Sequence, residues 1–217
     1  MKITWYGQSF FQILTKKRKE ELVKIAIDPF DEKIGLKVPS FEADILLITH
    51  QHHDHNNVGA IKGSPFLITG PGEYEVKKVF IQGIPSFHDD VEGKERGKNT
   101  IFTIESEGIR VCHLGDLGQK ELTPEQLEKI GDVDILMIPV GGVYTISAKE
   151  GAKIISQLEP KVVIPMHYKI PRIKINLEGL QKFLKIMGIK KPEMPSKFLI
   201  KSKDLPKEGM KIVILKP

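Results

Sequence analysis

The sequence predicts a mixed α/β fold built in layers. Three observations carry that expectation. Short strand-like runs fill the first half of the chain, capped helices alternate with strands in the second half, and residues 45–48 form a continuous apolar run of the kind found in strands buried on both faces.

Taken in order, residues 3–6, 11–14 and 22–27 read as a meander, followed by the buried strand at 45–48 and a short helix-like run at 57–61. Strand-like runs continue at 66–69, 78–81, 100–104 and 109–112. Thr123, Pro124 and Gln126 then spell a capping box with proline at the first helical position, and Gly131 fits the stop. A strand at 135–139 leads to a second capping box, Ser147 with Glu150, whose helix must end before Pro160. After a strand at 162–165, Leu177, Leu180, Phe183, Leu184 and Met187 make an apolar stripe at helical spacing, opposite Lys182 and Lys185. That stripe is expected to be core. Residues 198–200 and 211–215 are expected to close the sheet.

The length, 217 residues, suits one large domain or two small ones. With no repeat, low-complexity segment or flexible linker, residues 1–217 are expected to form one domain. Hydrophobic residues at 40% and charged residues at 28% exclude the disordered class. No apolar stretch reaches the roughly 18 residues of a membrane span. The opening Met1-Lys2-Ile3-Thr4-Trp5 has no signal-peptide pattern and reads into a strand. Cys112 is the one cysteine, so neither an internal disulfide nor a cysteine-based zinc site can form, and the cytoplasm is the expected compartment. The net charge of +5 comes from a lysine excess after Lys169. It is poor in arginine and interleaved aromatics, so it reads as a solvated surface rather than a nucleic-acid platform.

Most of the chemical information lies in Thr49-His50-Gln51-His52-His53-Asp54-His55, which follows the buried strand. Strand ends commonly build active sites, and imidazole and carboxylate suit zinc and similar divalent ions. His50 and His52 can point the same way from an extended turn, while Asp54 and His55 can face a second ion. Further donors are needed to complete two sites. Asp28, His88, Asp116 and His167 each sit just past a strand-like run. If those strands share one sheet edge, their ends converge on the His50–His55 loop.

The run His50-x-His52-x-Asp54-His55, with later His88, Asp116 and His167, resembles the metallo-β-lactamase-fold hydrolase superfamily. Trp5-Tyr6-Gly7-Gln8-Ser9, Ile27-Asp28-Pro29, Leu114-Gly115-Asp116 and Ile164-Pro165-Met166-His167-Tyr168 resemble its branch related to L-ascorbate-6-phosphate lactonase. The resemblance runs from Trp5 to Tyr168, with the motifs in family order. It implies a four-layer αββα sandwich with the site at one edge. It implies that His50, His52 and His88 hold a first metal, and Asp54, His55 and His167 a second. Asp116 bridges the two, and Asp28 orients ligands through hydrogen bonds.

The expected cofactor is a pair of Zn²⁺ ions, with Mn²⁺ or Fe²⁺ as the alternatives. Two ions about 3.5–4 Å apart share a bridging hydroxide whose parent water has its pKa lowered to about 7. Asp54 and Asp116 are the expected catalytic carboxylates: Asp54 steers the hydroxide and Asp116 fixes the spacing of the ions. The implied activity is hydrolysis of a small anionic ester, lactone or phosphodiester, with no membrane partner.

Two positions depart from the family pattern. Gln8 stands where many relatives have histidine, and His53 fills a position without a fixed role. His113 reads either as a residue behind the metals, or a proton donor, or as a satisfied core histidine. Cys112 reads as a buried, inert thiol. Gly70-Pro71-Gly72 and Gly141-Gly142 are weak candidates for phosphate cradles, and Tyr144, Thr145, Tyr168 and Lys169 flank the expected site.

Three other functions compete. Nuclease relatives share this metal centre, but no appended nucleic-acid domain or aromatic-basic platform is evident. Some relatives hold iron and act as oxidoreductases; the diiron reductase type usually has glutamate where His52 stands, which leaves an iron-dependent dioxygenase. A non-catalytic scaffold is disfavoured by the nearly complete ligand set.

Overall fold

The computed structural model describes residues 1–16 and 21–217. In chain order the strands of the first half are β1 (Lys2–Trp5), β2 (Phe11–Lys16), β3 (Leu22–Ile27), β4 (Phe41–Glu42), β5 (Ile45–Leu47), β6 (Ile61–Lys62), β7 (Phe66–Ile68), β8 (Gly72–Val76) and β9 (Val79–Phe87). The second half holds β10 (Lys98–Ser106), β11 (Ile109–His113), α1 (Pro124–Ile130), β12 (Ile135–Pro139), α2 (Ala148–Leu158), β13 (Val162–Met166), α3 (Gln181–Ile186), β14 (Phe198–Leu199) and β15 (Lys211–Ile212).

These make two large sheets, ordered β14-β1-β2-β3-β5-β7 and β15-β13-β12-β11-β10-β9-β8, and a small β4-β6 pair. The sheets face each other. The Ser106 hydroxyl donates to Thr15 Oγ1 across the interface at 2.7 Å, Thr15 giving its own proton to Glu107, and Phe11 meets His113 edge-on at 5.7 Å between ring centroids. Between them lie fully buried Trp5, Phe11, Ile13, Ile25 and Phe102. The mixed α/β class is therefore as the sequence predicts. The helices are few, and all follow strands of the second sheet; α2 lies over β12, where a Cβ on Gly151 would touch Ile138 and Val140.

Strand direction decides where the chemistry gathers. β3, β5 and β7 are parallel, as are β11, β12 and β13. β9 runs antiparallel to β10, which runs antiparallel to β11, so β9 points the same way as β11. The chain thus leaves β3, β5, β9, β11 and β13 toward the strand ends that carry polar residues.

Both capping boxes form as expected, Thr123 with Gln126 and Ser147 with Glu150, and Gly131 ends α1 with φ 61°. Other elements differ. The run at 57–61 is a 3₁₀ turn over Val58–Ala60, followed by β6. The strand expected at 78–81 extends to Phe87 through Pro85. β8 pairs with β9 only as far as Gly72 opposite Gly83, so from Ile84 onward that flank of β9 is an edge, where proline is tolerated. The apolar stripe of 177–187 supplies core through Leu177, Leu180 and Phe183, but its helix covers only Gln181–Ile186. Before it, Glu178 is held in extended backbone by its N–H to Gly141 O at 2.8 Å and by Lys169 N–H to its own carbonyl at 2.8 Å. The last two strands do not close one sheet: β14 pairs with β1 and β15 with β13, one on each sheet.

Candidate metal centre

Seven side chains meet at the edge where the two sheets' strands end. His50, His52 and His88 form one group of potential donors, and Asp54, His55, Asp116 and His167 a second. Within each group the donor atoms lie within 4.8 Å of one another. Both groups straddle the sandwich. The loop after β5 supplies four of the residues, while His88, Asp116 and His167 follow β9, β11 and β13.

Oδ2 of Asp116 is the hub. It lies 3.2 Å from His55 Nε2, 3.3 Å from His88 Nε2 and 3.1 Å from His167 Nε2. Burial opposes its charge, but the surrounding imidazoles win and hold the Asp116 carboxyl well below the usual range. Burial likewise opposes the Asp54 charge, and His55 overcomes it and keeps that pKa low. For His55, burial disfavours protonation, yet Asp116, Asp54 and Asp28 outweigh it and raise the pKa well above 6.5. For His50, burial and the positive charge of His55 act together and pull the pKa down to about 2.

Asp28 organises the loop from beneath. Its φ of 51° turns the chain sharply after β3. Oδ1 accepts from Thr49 N–H at 2.8 Å, and Oδ2 accepts from the Thr49 hydroxyl at 2.6 Å and from His55 Nδ1 at 2.9 Å. A carboxylate only accepts, so His55 keeps a proton on Nδ1, and Nε2, which faces Asp116 and Asp54, is the nitrogen left for a metal to take. The same logic passes through Thr49. Its one hydroxyl proton goes to Asp28, so His50 Nδ1, 3.0 Å away, must donate to the Thr49 oxygen, which leaves His50 Nε2 as a lone pair.

The first sheet's N-terminal turn secures the second group. Gln8 Nε2 donates to Asp54 Oδ2 at 2.8 Å, and Gln8 O accepts from His167 N–H at 3.0 Å and from Trp5 Nε1 at 2.9 Å. The Ser9 hydroxyl reaches Asp116 Oδ1 at 3.3 Å. Asn99 Oδ1 accepts from Asp116 N–H at 3.0 Å, while its amide donates to Ser86 Oγ and Leu114 O. Gln8, Asp28 and His167 all sit at positive φ, a strain of about 1–3 kcal/mol each that the surrounding hydrogen bonds sustain.

His113 resolves as a positioning histidine. Nδ1 accepts from Gly115 N–H at 3.1 Å, so Nε2 carries the proton and donates to Ser9 O at 3.1 Å. Burial lowers its pKa, in keeping with a neutral ring. His53 is exposed and outside both groups. Cys112 is fully buried, and burial drives its thiol pKa up. Gly141 has a packing reason to be glycine, since a Cβ there would lie 2.1 Å from His167 O. Lys169 Nζ donates to Ile173 O and Ile175 O, which makes it a loop clamp. Asn99, Asp89 and Arg96 belong to the site's surroundings, and the sequence carries no motif that singles them out.

Four buried imidazole nitrogens at this edge, His50 Nε2, His55 Nε2, His88 Nδ1 and His167 Nδ1, lack a hydrogen-bond partner among the described residues. Leaving such groups unsatisfied costs about 1–3 kcal/mol each. Buried imidazole nitrogens beside two low-pKa carboxylates are the donor set that divalent cations take, so the residues present fit a metal centre.

The comparisons agree with that chemistry. The family described as the Beta-lactamase superfamily domain matches residues 2–167, so the chain belongs to that superfamily. A UPF0173 metal-dependent hydrolase from Thermococcus onnurineus is 31% identical over 212 residues, covering 85% of this chain and 92% of its own. One from Pyrococcus furiosus is 28% identical across 100% of this chain and 97% of its own. The chain belongs to the UPF0173 metal-dependent hydrolase family. Among solved structures, a Thermotoga maritima chain assigned as a zinc-dependent hydrolase of the metallo-β-lactamase superfamily is 39% identical. It has a TM-score of 0.77 and covers 99% of this chain and 98% of that one.

Proposed function

We propose that this protein is a hydrolase working with two zinc ions, acting on a small ester, lactone or phosphodiester. His50, His52 and His88 would hold one ion, and Asp54, His55 and His167 the other, with Asp116 shared between them. The observation that carries the reading is the position of Asp116 Oδ2, within 3.3 Å of imidazole nitrogens from His55, His88 and His167. The family name and the zinc-dependent relative support it.

When bound, such a pair of ions lowers the pKa of water to about 7 and polarises the attacked carbonyl or phosphoryl oxygen. The chain's own residues set the conditions. Asp28 and Thr49 hold the Nδ1 protons of His55 and His50, which fixes the ring orientations and leaves Nε2 of each ring as the nitrogen that would meet an ion. Gln8 donates one amide proton to Asp54 Oδ2, which holds that carboxylate in orientation. Hydrolysis adds water across the acyl–oxygen or phosphorus–oxygen bond: the water oxygen joins the electrophile, and one proton leaves with the alcohol.

The resemblance to the ascorbate-6-phosphate lactonase branch supports lactones as the first substrates to try. The test is metal quantification on the purified protein together with a panel of esters, lactones and phosphodiesters. Two zinc ions per chain and zinc-dependent turnover of one class are expected. Iron as the bound metal with oxygen consumption, or cleavage of nucleic acid alone, would overturn the reading.

A further inference from the structure

A pocket of about 470 Å³ opens directly on the first histidine group. Its wall includes His50, His52, Arg96, Lys98, Thr100 and the Gly70-Pro71 turn. That volume suits a metabolite-sized ligand. No acidic residue lines the pocket, and neither Arg96 nor Lys98 forms an ion pair among the described residues. By contrast the larger cavity of about 850 Å³, beside Tyr6, Leu36 and Tyr168, contains none of the seven clustered residues.

Both cations are anchored through their backbones, with Arg96 half-buried and the Lys98 side chain exposed. His88 and Lys98 stand at the base of the loop between β9 and β10, where His88 N–H donates to Gly97 O at 3.0 Å and Phe87 pairs with Lys98. Within that loop Asp89 accepts four backbone N–H groups, from Val91, Gly93, Glu95 and Arg96, at 2.7–3.0 Å. Arg96 is thereby tied at its backbone to the residue next to His88. Its guanidinium carbon rests over the Tyr144 ring at 5.1 Å from the centroid, which limits the rotamers of a long side chain. Thr100 N–H donates to Thr49 O at 2.9 Å, which ties β10 to the loop that carries His50. The backbone segments that carry the cations and the histidines are therefore held together from both sheets.

The geometry points to Arg96 and Lys98 as an anion-recognition wall, so that the substrate is a small molecule with a carboxylate or phosphate beside the bond presented to His50 and His52. This deepens the hydrolase reading and rests on it for the reaction, although not for the binding. A planar guanidinium pairs with two oxygens of such a group at once, and Lys98 adds a point charge. An unpaired arginine held against an aromatic ring in a pocket without acids is arranged for an incoming anion.

The test is calorimetric titration of the zinc-loaded full chain with three non-hydrolysable probes: benzoate, phenylphosphonate and uncharged benzamide. Both anions are expected to bind and benzamide is not. Arg96→Ala and Lys98→Ala should each weaken the anions about tenfold or more, and Arg96→Lys should recover part of the loss. Lys207→Ala, an exposed lysine elsewhere, should leave both affinities as they are, which separates a local wall from overall positive charge. Melting curves check that each variant is folded. Anion affinities in Arg96→Ala and Arg96→Gln within twofold of the parent would overturn the proposal, because the anions would then be binding the metal centre alone. Arginine-dependent binding without turnover of any ester, lactone or phosphodiester would instead sink the hydrolase reading and leave the wall standing.

Discussion

Oδ2 of Asp28 lies 2.9 Å from Nδ1 of His55 and accepts its proton, while the same oxygen takes the Thr49 hydroxyl at 2.6 Å. Three donors converge on this carboxylate, including Thr49 N–H. An asparagine can accept at only one of its two terminal atoms. Asp28→Asn should therefore weaken zinc at the Asp54, His55, Asp116 and His167 group by about 10–100-fold while the fold persists. Competition with a chromophoric chelator measures this, and parent-like affinity would contradict the role given to Asp28.

Asp116 is the oxygen donor common to three imidazoles. Asp116→Ala should reduce turnover by about 1,000-fold or more, the loss expected when several kcal/mol of electrostatic stabilisation disappear. Circular dichroism should show an intact fold, and bound metal should fall. Parent turnover at unchanged metal content would refute the assignment.

Metal uptake should expel a proton from His55. In the metal-free protein Asp116, Asp54 and Asp28 overcome burial and raise the His55 pKa well above 6.5. A group raised on folding stabilises fully below its unfolded value and loses that contribution as pH rises through the folded value. Metal-free protein should thus lose this stabilisation at alkaline pH. Zinc, which needs the neutral ring, should bind up to about tenfold tighter for each unit that the pH rises toward the folded pKa, and level off above it. Titration calorimetry in buffers of different ionisation enthalpy counts the proton. His50, at about 2, contributes none.

Much of this site was legible before any coordinates. The His50–His55 run, His88, Asp116 and His167 announce themselves because metal donors are rare residue types at fixed spacings after strand-like runs. The capping boxes were legible because their chemistry is local. Arg96 and Lys98 were not, since a charged residue in a loop looks like any solvated charge until Tyr144 and His52 are seen around it. The fate of β14 and β15 was equally hidden: a two-residue strand carries no mark of which sheet it will join. The strand-like run at 78–81 gave no sign of continuing through Pro85, which the early end of β8 makes permissible.

Gly118 offers a test of close backbone approach. A Cβ there would lie 2.3 Å from the carbonyl carbon and oxygen of His88 and 2.4 Å from Asp89 N. Backbone cannot swing aside as a side-chain tip can, so Gly118→Ala should cost about 1–3 kcal/mol and loosen the first histidine group. Thermal unfolding and zinc affinity both read it, and a variant matching the parent in both would show that the loop yields freely.

Each donor group draws on both sheets, and that has a bearing on how the centre is loaded in a growing chain. The stretch from His50 to His55 leaves the ribosome more than a hundred residues ahead of His167. Alone it is a half-shell of imidazoles, and such a fragment ranks ions by intrinsic affinity, copper and nickel ahead of zinc. Discrimination has to wait until β13 has docked and both halves of each cage stand at fixed distances. Selection of the ion is then a property of the finished sandwich, and an ion caught across it would act as a rivet between layers that otherwise meet only through packing and a few hydrogen bonds.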